Sequence, residues 1–262
     1  MMYAELHCKT NFSFLQGASH PDELVQRAVE LGYHALAVTD VNSLAGVVRA
    51  HAAAKGSGLK LIVGAEITPL DAPAVVLWAP DRAAYGRLCR LITRGRRRAA
   101  KGECVLTLQD VAEHADGLLA GVLVRPWEED ATWPRRAETQ IPVAERPGYV
   151  VQAILDRYRQ IFSGRCYLIA EFHRGPDDQR RLEWLQQLSR AAELPLVAAG
   201  DVYYHIPARQ PLQHVLTAIR HGVTVAQAGG LLFPNAQRHL KSLDELRELF
   251  ARIPDALERA RQ

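Results

Sequence analysis

The sequence predicts an α/β fold, because apolar strand-like segments alternate with amphipathic helical segments along most of the chain. The strand segments are continuous apolar runs, such as residues 60–67 and 196–200, which are typical of strands buried on both faces of a sheet. The helical segments, such as residues 177–193, place apolar side chains three and four positions apart. This regular alternation favours a parallel sheet or a barrel.

The first two elements follow from local signals. In residues 3–8 successive side chains point to opposite faces, as in a short opening strand, and His7 lies at its carboxyl end. Ser19 precedes a proline and an acidic residue in the way that a helix cap does, and Gly32 is a stop signal. We therefore predict the first helix over residues 21–31.

The remaining elements follow from the same two periodicities. Further strands are predicted at residues 35–39, 60–67, 74–78, 117–124, 166–172 and 196–200. Further helices are predicted at residues 44–55, 81–93, 107–114, 150–162, 177–193, 211–221 and 243–260. Residues 125–149, with four prolines, form an irregular insertion or crossover. After Pro207 the alternation stops, and the last two helices flank an apolar link at residues 231–234.

Composition excludes several classes of protein. With 262 residues, 48% hydrophobic and 23% charged, the chain is long enough for one large globular domain or two small ones. Its four scattered cysteines form no C-x-x-C pair, which argues against a zinc ribbon or a disulfide framework and indicates a reducing compartment. We find no signal-peptide pattern and no apolar run of membrane-spanning length, and we expect a cytoplasmic protein that does not bind membranes.

Residues 94–102 form a strongly basic segment that we predict to be a loop. It is either a solvated connector or a contact to a phosphate backbone, for which arginine side chains are suited. The absence of interleaved aromatic residues favours the connector. Under the second interpretation the nucleic-acid-binding residues are Arg94, Arg96, Arg97, Arg98 and Lys101.

Candidate metal ligands stand at the carboxyl ends of the predicted strands. They are His7, Asp40, Glu66, His173 and Asp201. The carboxyl ends of parallel strands meet at one edge of a sheet, so these side chains can converge. Imidazoles and carboxylates converging in this way are what a multi-metal phosphoesterase needs to activate water.

Several motifs resemble one family, the polymerase-and-histidinol-phosphatase (PHP) domain, in the form found at the N-terminus of error-prone bacterial C-family DNA polymerase alpha subunits. The motifs are Ala4-Glu5-Leu6-His7-Cys8, Asn11-Phe12-Ser13-Phe14-Leu15, Gly17-Ala18-Ser19-His20-Pro21, Ala37-Val38-Thr39-Asp40, Gly64-Ala65-Glu66, Leu88-Cys89-Arg90-Leu91, Leu196-Val197-Ala198-Ala199, Arg209-Gln210-Pro211-Leu212-Gln213, Leu216-Thr217, Ile219-Arg220-His221, Pro234-Asn235-Ala236 and His239-Leu240-Lys241-Ser242. The resemblance implies an irregular seven-stranded (β/α) barrel over residues 1–206. It also implies a helical extension over residues 207–262 that leads toward a polymerase region.

The resemblance also implies that the family's metal site is incomplete here. The ligand positions that remain are His7, Glu66, His173 and Asp201, and the substituted ones are Lys9, Gln16, Val41, Ala74 and Tyr203. Valine and alanine cannot bind a metal, and a protonated lysine repels a divalent cation. We therefore expect no cofactor, or at most one divalent metal (Zn or Mn).

The expected function is that of a non-catalytic module in an error-prone polymerase that acts in DNA replication and translesion repair. Its partners would be the remaining domains of the alpha subunit, with DNA bound through the parent protein. Nothing in this chain supplies the paired aspartates on a palm sheet that nucleotidyl transfer needs, so we do not expect it to polymerise DNA. One alternative is a stand-alone metal-dependent phosphoesterase. Another is a nucleic-acid-binding module that uses residues 94–101.

Lys9 carries a separate hypothesis, because its position faces the metals in the family that the chain resembles. We expect its ammonium group to lie in one cavity with Glu66 and Asp201 and to replace the lost metal as a counter-charge. The alternative is a solvated lysine that has no structural role.

Overall fold

A computed structural model of the chain describes residues 2–124 and 147–261, and it has the predicted α/β architecture. The strands are β1 (Ala4–Glu5), β2 (Ala35–Val38), β3 (Lys60–Ile67), β4 (Val75–Ala79), β5 (Leu119–Val122), β6 (Cys166–Ala170) and β7 (Leu196–Ala198). The helices are α1 (Pro21–Glu30), α2 (Val47–Ala54), α3 (Arg82–Arg97), α4 (Leu108–Glu113), α5 (Pro147–Ile161), α6 (Asp178–Ala192), α7 (Gln210–His221), α8 (Val225–Ala228), α9 (Leu243–Leu249) and α10 (Pro254–Arg259). The seven strands form one sheet in chain order, which confirms the seven-stranded α/β prediction.

The sheet is not wholly parallel, and this part of the prediction was wrong. The pairs β1–β2, β2–β3 and β5–β6 are parallel, but β4 runs antiparallel to β5, with Val75 opposite Val122. The connection at residues 68–74 is too short for the helical crossover that parallel neighbours require. A reversed strand is therefore the expected result of this short link.

The chain divides into two compact units. The first comprises Met1–Gly64, Glu171–Asp178 and Ala198–Gln262. Its interior contains fully buried aromatic side chains, among them Tyr3 and Tyr204. The hydroxyl group of Tyr33 donates a hydrogen bond of 2.7 Å to the carbonyl oxygen of Lys241, which ties the segment before β2 to the segment before α9.

The second unit comprises Ala65–Ala170 and Gln179–Val197. Tyr158 on α5 is fully buried, and its hydroxyl group donates a 2.7 Å hydrogen bond to the carbonyl oxygen of Pro73. On β5, Gly121 is packed so closely that an added Cβ would lie 2.5 Å from the Trp78 ring. This close packing explains why the middle of an apolar strand contains a glycine.

Three predicted helix boundaries were wrong. The cap of α1 is His20 rather than Ser19, and its backbone N–H donates to Glu23. Helix α3 continues past residue 93 to Arg97, so the first four residues of the predicted basic loop are helical. The predicted helix at residues 243–260 is two helices, because Pro254 has no N–H to continue a helix and instead starts α10.

Two further features complete the fold. The regular elements after Arg209 are helices, as the sequence predicts for that segment. Among the helices in residues 2–124 and 147–261, none combines the length and the apolar character needed to cross a membrane. The predicted irregular segment at residues 125–149 lies largely outside the described residues.

Candidate metal centre

The candidate centre is built on the segment that follows β1. The backbone N–H of Lys9 donates to the carbonyl of Val202 at 2.8 Å, and that of Val202 donates to the carbonyl of His7 at 2.9 Å. On the other side, Thr39 donates to the carbonyl of Cys8 at 2.8 Å. The segment is therefore extended between two neighbours, and His7 and Lys9 project from the same face.

Asp201 reaches this face because of an unusual backbone conformation. Its φ angle is 46°, in the left-handed region that aspartate adopts more readily than most other residues. The preceding Gly200 donates its N–H to a carboxylate oxygen of the buried Glu5 at 2.8 Å, which fixes the turn. Burial raises the pKa of Glu5, although hydrogen bonds from Gly200 and His7 oppose the shift.

Three buried donors come together at this point. Nδ1 of His7 lies 2.5 Å from Oε1 of Glu171 and 3.5 Å from Oδ1 of Asp201. The ligand atoms of these three residues all lie within 4.8 Å of one another, which is close enough for one shared divalent ion. His7 and Asp201 were predicted as members of such a site, but Glu171 was not.

Two cations already occupy the carboxylate of Asp201. Nζ of Lys9 donates to Oδ1 at 2.8 Å, and a guanidinium N–H of Arg238 donates to Oδ2. Lys9 is only 1% exposed and Arg238 is 20% exposed. The Tyr203 ring, whose centroid lies 4.5 Å from Nζ of Lys9, presents its π system to the ammonium group. The predicted contact between Lys9 and Asp201 is thus present.

The same network determines which ring nitrogen of His7 carries the proton. Nζ of Lys9 also lies 3.0 Å from Nε2 of His7, and because an ammonium group can only donate, Nε2 accepts. The ring proton is then on Nδ1, which donates to Glu171. Both ring nitrogens are engaged, and neither has a lone pair available for a metal.

This donor set does not fit a metal while Lys9 is protonated. A metal ligand must offer a free lone pair, and the Lys9 ammonium occupies that of His7 Nε2 and repels a divalent ion beside Asp201 Oδ1, to which it donates. The three donors would suffice for at most one ion, and only if Lys9 withdrew. Within the described part of the chain they are the one group of three or more possible metal ligands, so a second ion would lack a comparable set.

The other predicted ligands have different surroundings. His173 is half-buried, and its Nε2 donates to the carbonyl of Gly200 at 3.3 Å. Glu66 is buried at the end of β3 in the second unit, and its sharing of a cavity with Lys9 stays a prediction. The substituted positions Gln16, Val41 and Ala74 are half-buried.

Asp40 stabilises a loop rather than a helix end. Its carboxylate accepts hydrogen bonds from Thr10 N at 2.8 Å, Thr10 Oγ1 at 2.8 Å and Ser13 Oγ at 2.6 Å. The cap of α2 is Gly46, so Asp40 does not cap that helix. Burial raises the pKa of Asp40, although the hydrogen bonds from Ser13 and Thr10 oppose that shift.

The basic segment lies on the last turn of α3 and just beyond it. The guanidinium of Arg94 contacts Asp110 at 3.2 Å and also Glu113, and that of Arg98 contacts Asp110 at 2.6 Å. Burial pushes the pKa of Asp110 up, but hydrogen bonds from Thr107 and Arg98 outweigh it and hold this pKa below its usual value. Arg96 donates to the carbonyl of Gly102 at 2.8 Å. The exposed Arg97 and Lys101 complete the predicted set.

The chain thus combines an α/β sheet with a histidine and two carboxylates gathered beside its strand ends. A structure of similar fold is that of a candidate metal-dependent phosphoesterase from Bifidobacterium adolescentis, with a TM-score of 0.50, 16% identity and coverage of 96% of each chain. A family model described as "PHP domain" matches residues 5–174 of this chain. This chain belongs to the PHP domain family.

Relatives extend the similarity beyond the matched region. A protein named "Error-prone DNA polymerase" from Rhodopirellula baltica is 48% identical over 262 residues, which is 99% of this chain and 22% of that protein. One of the same name from Dechloromonas aromatica is 46% identical over 95% of this chain, again 22% of the relative. The chain therefore spans about a fifth of the length of these relatives. The predicted resemblance to PHP domains of error-prone polymerases is confirmed.

Proposed function

We propose that this chain is the PHP domain of an error-prone DNA polymerase alpha subunit and that it acts there as a non-catalytic structural module. The similarity to two polymerases across nearly the whole chain supports the first part. It would contribute to DNA replication and translesion repair through the domains to which it is joined.

The observation that carries the second part is the position of Lys9. Its buried ammonium group lies 2.8 Å from Asp201 and 3.0 Å from His7, the two residues that a metal would need most. The two carboxylates of Asp201 and Glu171 contribute two negative charges, and Lys9 and Arg238 contribute two positive charges. A divalent ion added to this neutral set would leave two uncompensated positive charges in a buried site, which is strongly unfavourable.

The internal cations also give the module a structural role. Arg238 belongs to the proposed extension at residues 207–262, and it contacts Asp201 in the proposed barrel region at residues 1–206. The guanidinium also lies 4.1 Å from the centroid of the Phe233 ring. A metal-free site of this kind would hold the extension against the end of the strands.

Assays of hydrolysis test this proposal against the phosphoesterase alternative, which the closeness of His7, Glu171 and Asp201 favours. The purified chain would be incubated with bis-p-nitrophenyl phosphate and Mn²⁺, Zn²⁺ or Mg²⁺. We expect rates equal to those of the metal ions alone. Metal-dependent turnover by the wild-type chain that is lost in a Glu171→Gln variant would contradict the non-catalytic role.

The polymerase context is tested separately by the reading frame that follows the codon for Gln262. We expect an open frame that encodes a polymerase region with paired aspartates for magnesium. A stop codon at that point, with no such region encoded elsewhere in the same gene, would contradict the assignment to an alpha subunit.

A further inference from the structure

The second unit carries a groove on the solvent side of α3. Arginine is the commonest residue type in its lining. Its volume is about 480 Å³, and it is lined by Cys89, Arg90, Thr93, Arg94, Arg97, Arg98 and His114. Four of these seven residues are arginines, and none is acidic. The groove differs from the predicted basic loop, because it includes Arg90 and omits Arg96 and Lys101.

Packing on the opposite side of α3 fixes the direction in which the arginines of the groove point. Leu88 and Leu91 are fully buried, and Gly95 is packed so tightly that an added Cβ would lie 2.5 Å from Cys104 Sγ. The helix therefore cannot rotate without losing these contacts. With a rise of about 1.5 Å per residue, Arg90, Arg94 and Arg97 form a row with steps of roughly 6 Å and 4.5 Å.

The arginines of the groove fall into two groups. Arg94 and Arg98 are held by Asp110 and Glu113, and these contacts orient them. Arg90 and Arg97 are exposed, and within residues 2–124 and 147–261 no carboxylate lies within 4.0 Å of either guanidinium. Four arginines against two acids leave a local charge of two positive units, supplied by Arg90 and Arg97.

We propose that this groove binds the phosphate backbone of a nucleic-acid strand, with Arg90 and Arg97 contacting phosphates. A row of guanidinium groups matches the repeated charges of a polyanion, and each planar guanidinium can bind a phosphate through two N–H groups. Because the lining has no Phe, Tyr or Trp side chain to stack on a base, the binding is independent of sequence and strongly dependent on salt.

Arg94 and Arg98 act as positioning residues in this proposal. Their guanidinium groups are bound by Asp110, whose backbone carbonyl also accepts a 2.8 Å hydrogen bond from Nδ1 of His114. This network holds the wall of the groove in place. The charges that remain for a ligand are those of the two residues without an acidic partner.

The test is fluorescence anisotropy of a labelled single-stranded oligonucleotide and of a duplex, titrated with the whole 262-residue chain at several salt concentrations. The double variant Arg90→Gln/Arg97→Gln is expected to bind single strands about tenfold or more weakly at low salt. Two lost phosphate contacts should also lower the slope of log K against log salt by about 1.4 for a single strand.

A matched control removes the same charge elsewhere in the unit. Arg180 and Arg190 are exposed on α6, and the variant Arg180→Gln/Arg190→Gln should keep the wild-type affinity and salt slope. Equal losses in both double variants would mean that only net charge matters and would overturn the proposal. Absence of binding by the wild-type chain at low salt would overturn it as well. So would displacement of the oligonucleotide by polyglutamate at equal charge concentration, because the groove would then not select phosphate.

Discussion

The two compact units each contain an aspartate that is bound by two cations, and the two arrangements differ in burial. Asp201 is 1% exposed and its partners Lys9 and Arg238 are 1% and 20% exposed. Asp110 is 4% exposed, but its partners Arg94 and Arg98 are 35% and 47% exposed. The two carboxylates are similarly buried, but the cations that bind them differ in exposure.

This difference separates a buried ionic network from a surface network. A buried cation cannot be removed without leaving a buried carboxylate uncompensated, whereas water can solvate the partner of an exposed one. Only the first arrangement does what a metal ion does in a site of this type, which is to neutralise converging carboxylates. In the second arrangement the cations remain accessible to water.

The largest expected effect follows from Lys9→Met. Loss of the buried ammonium should lower the free energy of unfolding by about 3 kcal/mol or more at neutral pH. The loss should be smaller in acid, where the carboxylates that Lys9 neutralises can take up a proton. Urea denaturation at the two pH values measures both.

The control for this variant is Lys55→Met, which changes an exposed lysine at the end of α2. Its effect should stay within about 0.5 kcal/mol. If Lys9→Met is as mild as this control, Lys9 is not a counter-charge and the contrast between the two units fails.

A smaller loss is expected for Arg238→Gln, because Asp201 keeps Lys9 and part of the site is open to water. The hydrogen bond to a charged group should contribute about 2 kcal/mol. Arg174→Gln is the control, because Arg174 pairs with Glu248 on the surface, and we expect little change there. Equal unfolding free energies for the two variants would show that Arg238 is not part of the buried set.

Lys241, a second buried lysine of the first unit, tests how burial affects the pH dependence of stability. It is buried and donates to the carbonyl of Gln237, and burial lowers its pKa to about 8 from an ordinary 10.5. Between these values the unfolded chain binds more protons than the native one, so stability gains from this group as pH rises. The free energy of unfolding of the wild type should therefore rise relative to that of Lys241→Met, by up to about 1.4 kcal/mol for each pH unit between the two pKa values. Urea denaturation at several pH values checks this, and a constant difference between the two proteins would contradict it.

The smallest effect is expected for Arg98→Gln on the surface network. Arg98 is 47% exposed, and Asp110 keeps Arg94 and its hydrogen bonds from Thr107. The free energy of unfolding should fall by about 0.5 kcal/mol. A loss comparable to that of Lys9→Met would remove the distinction that burial makes between the two units.

Much of the candidate centre was predictable from local patterns. The alternation of the opening strand places His7 and Lys9 on one face, and Asp201 directly follows an apolar strand segment. Glu171 was missed because it was read as part of an apolar run, although a charged residue in such a strand is itself a signal. Arg238 was not predictable, because its contact with Asp201 joins positions 37 residues apart, on either side of α7 and α8.

The errors in the fold have equally specific causes. The end of α3 was placed too early because Gly95 and the arginines after it resemble a loop, whereas Gly95 is required by the close approach of Cys104. The antiparallel β4 was missed because the shortness of the link at residues 68–74 was not used. In the first case a tertiary constraint overrode a local signal, and in the second a local signal was not used.

Elemental analysis of the wild-type chain tests the central claim most directly. The protein would be expressed with added zinc and manganese, dialysed mildly, and measured for metal per chain. Because Lys9 supplies the cation of the site, we predict well below one ion per chain. One or more zinc, manganese or iron ions per chain, retained after dialysis and lost in an Asp201→Asn variant, would contradict the replacement of the metal by Lys9.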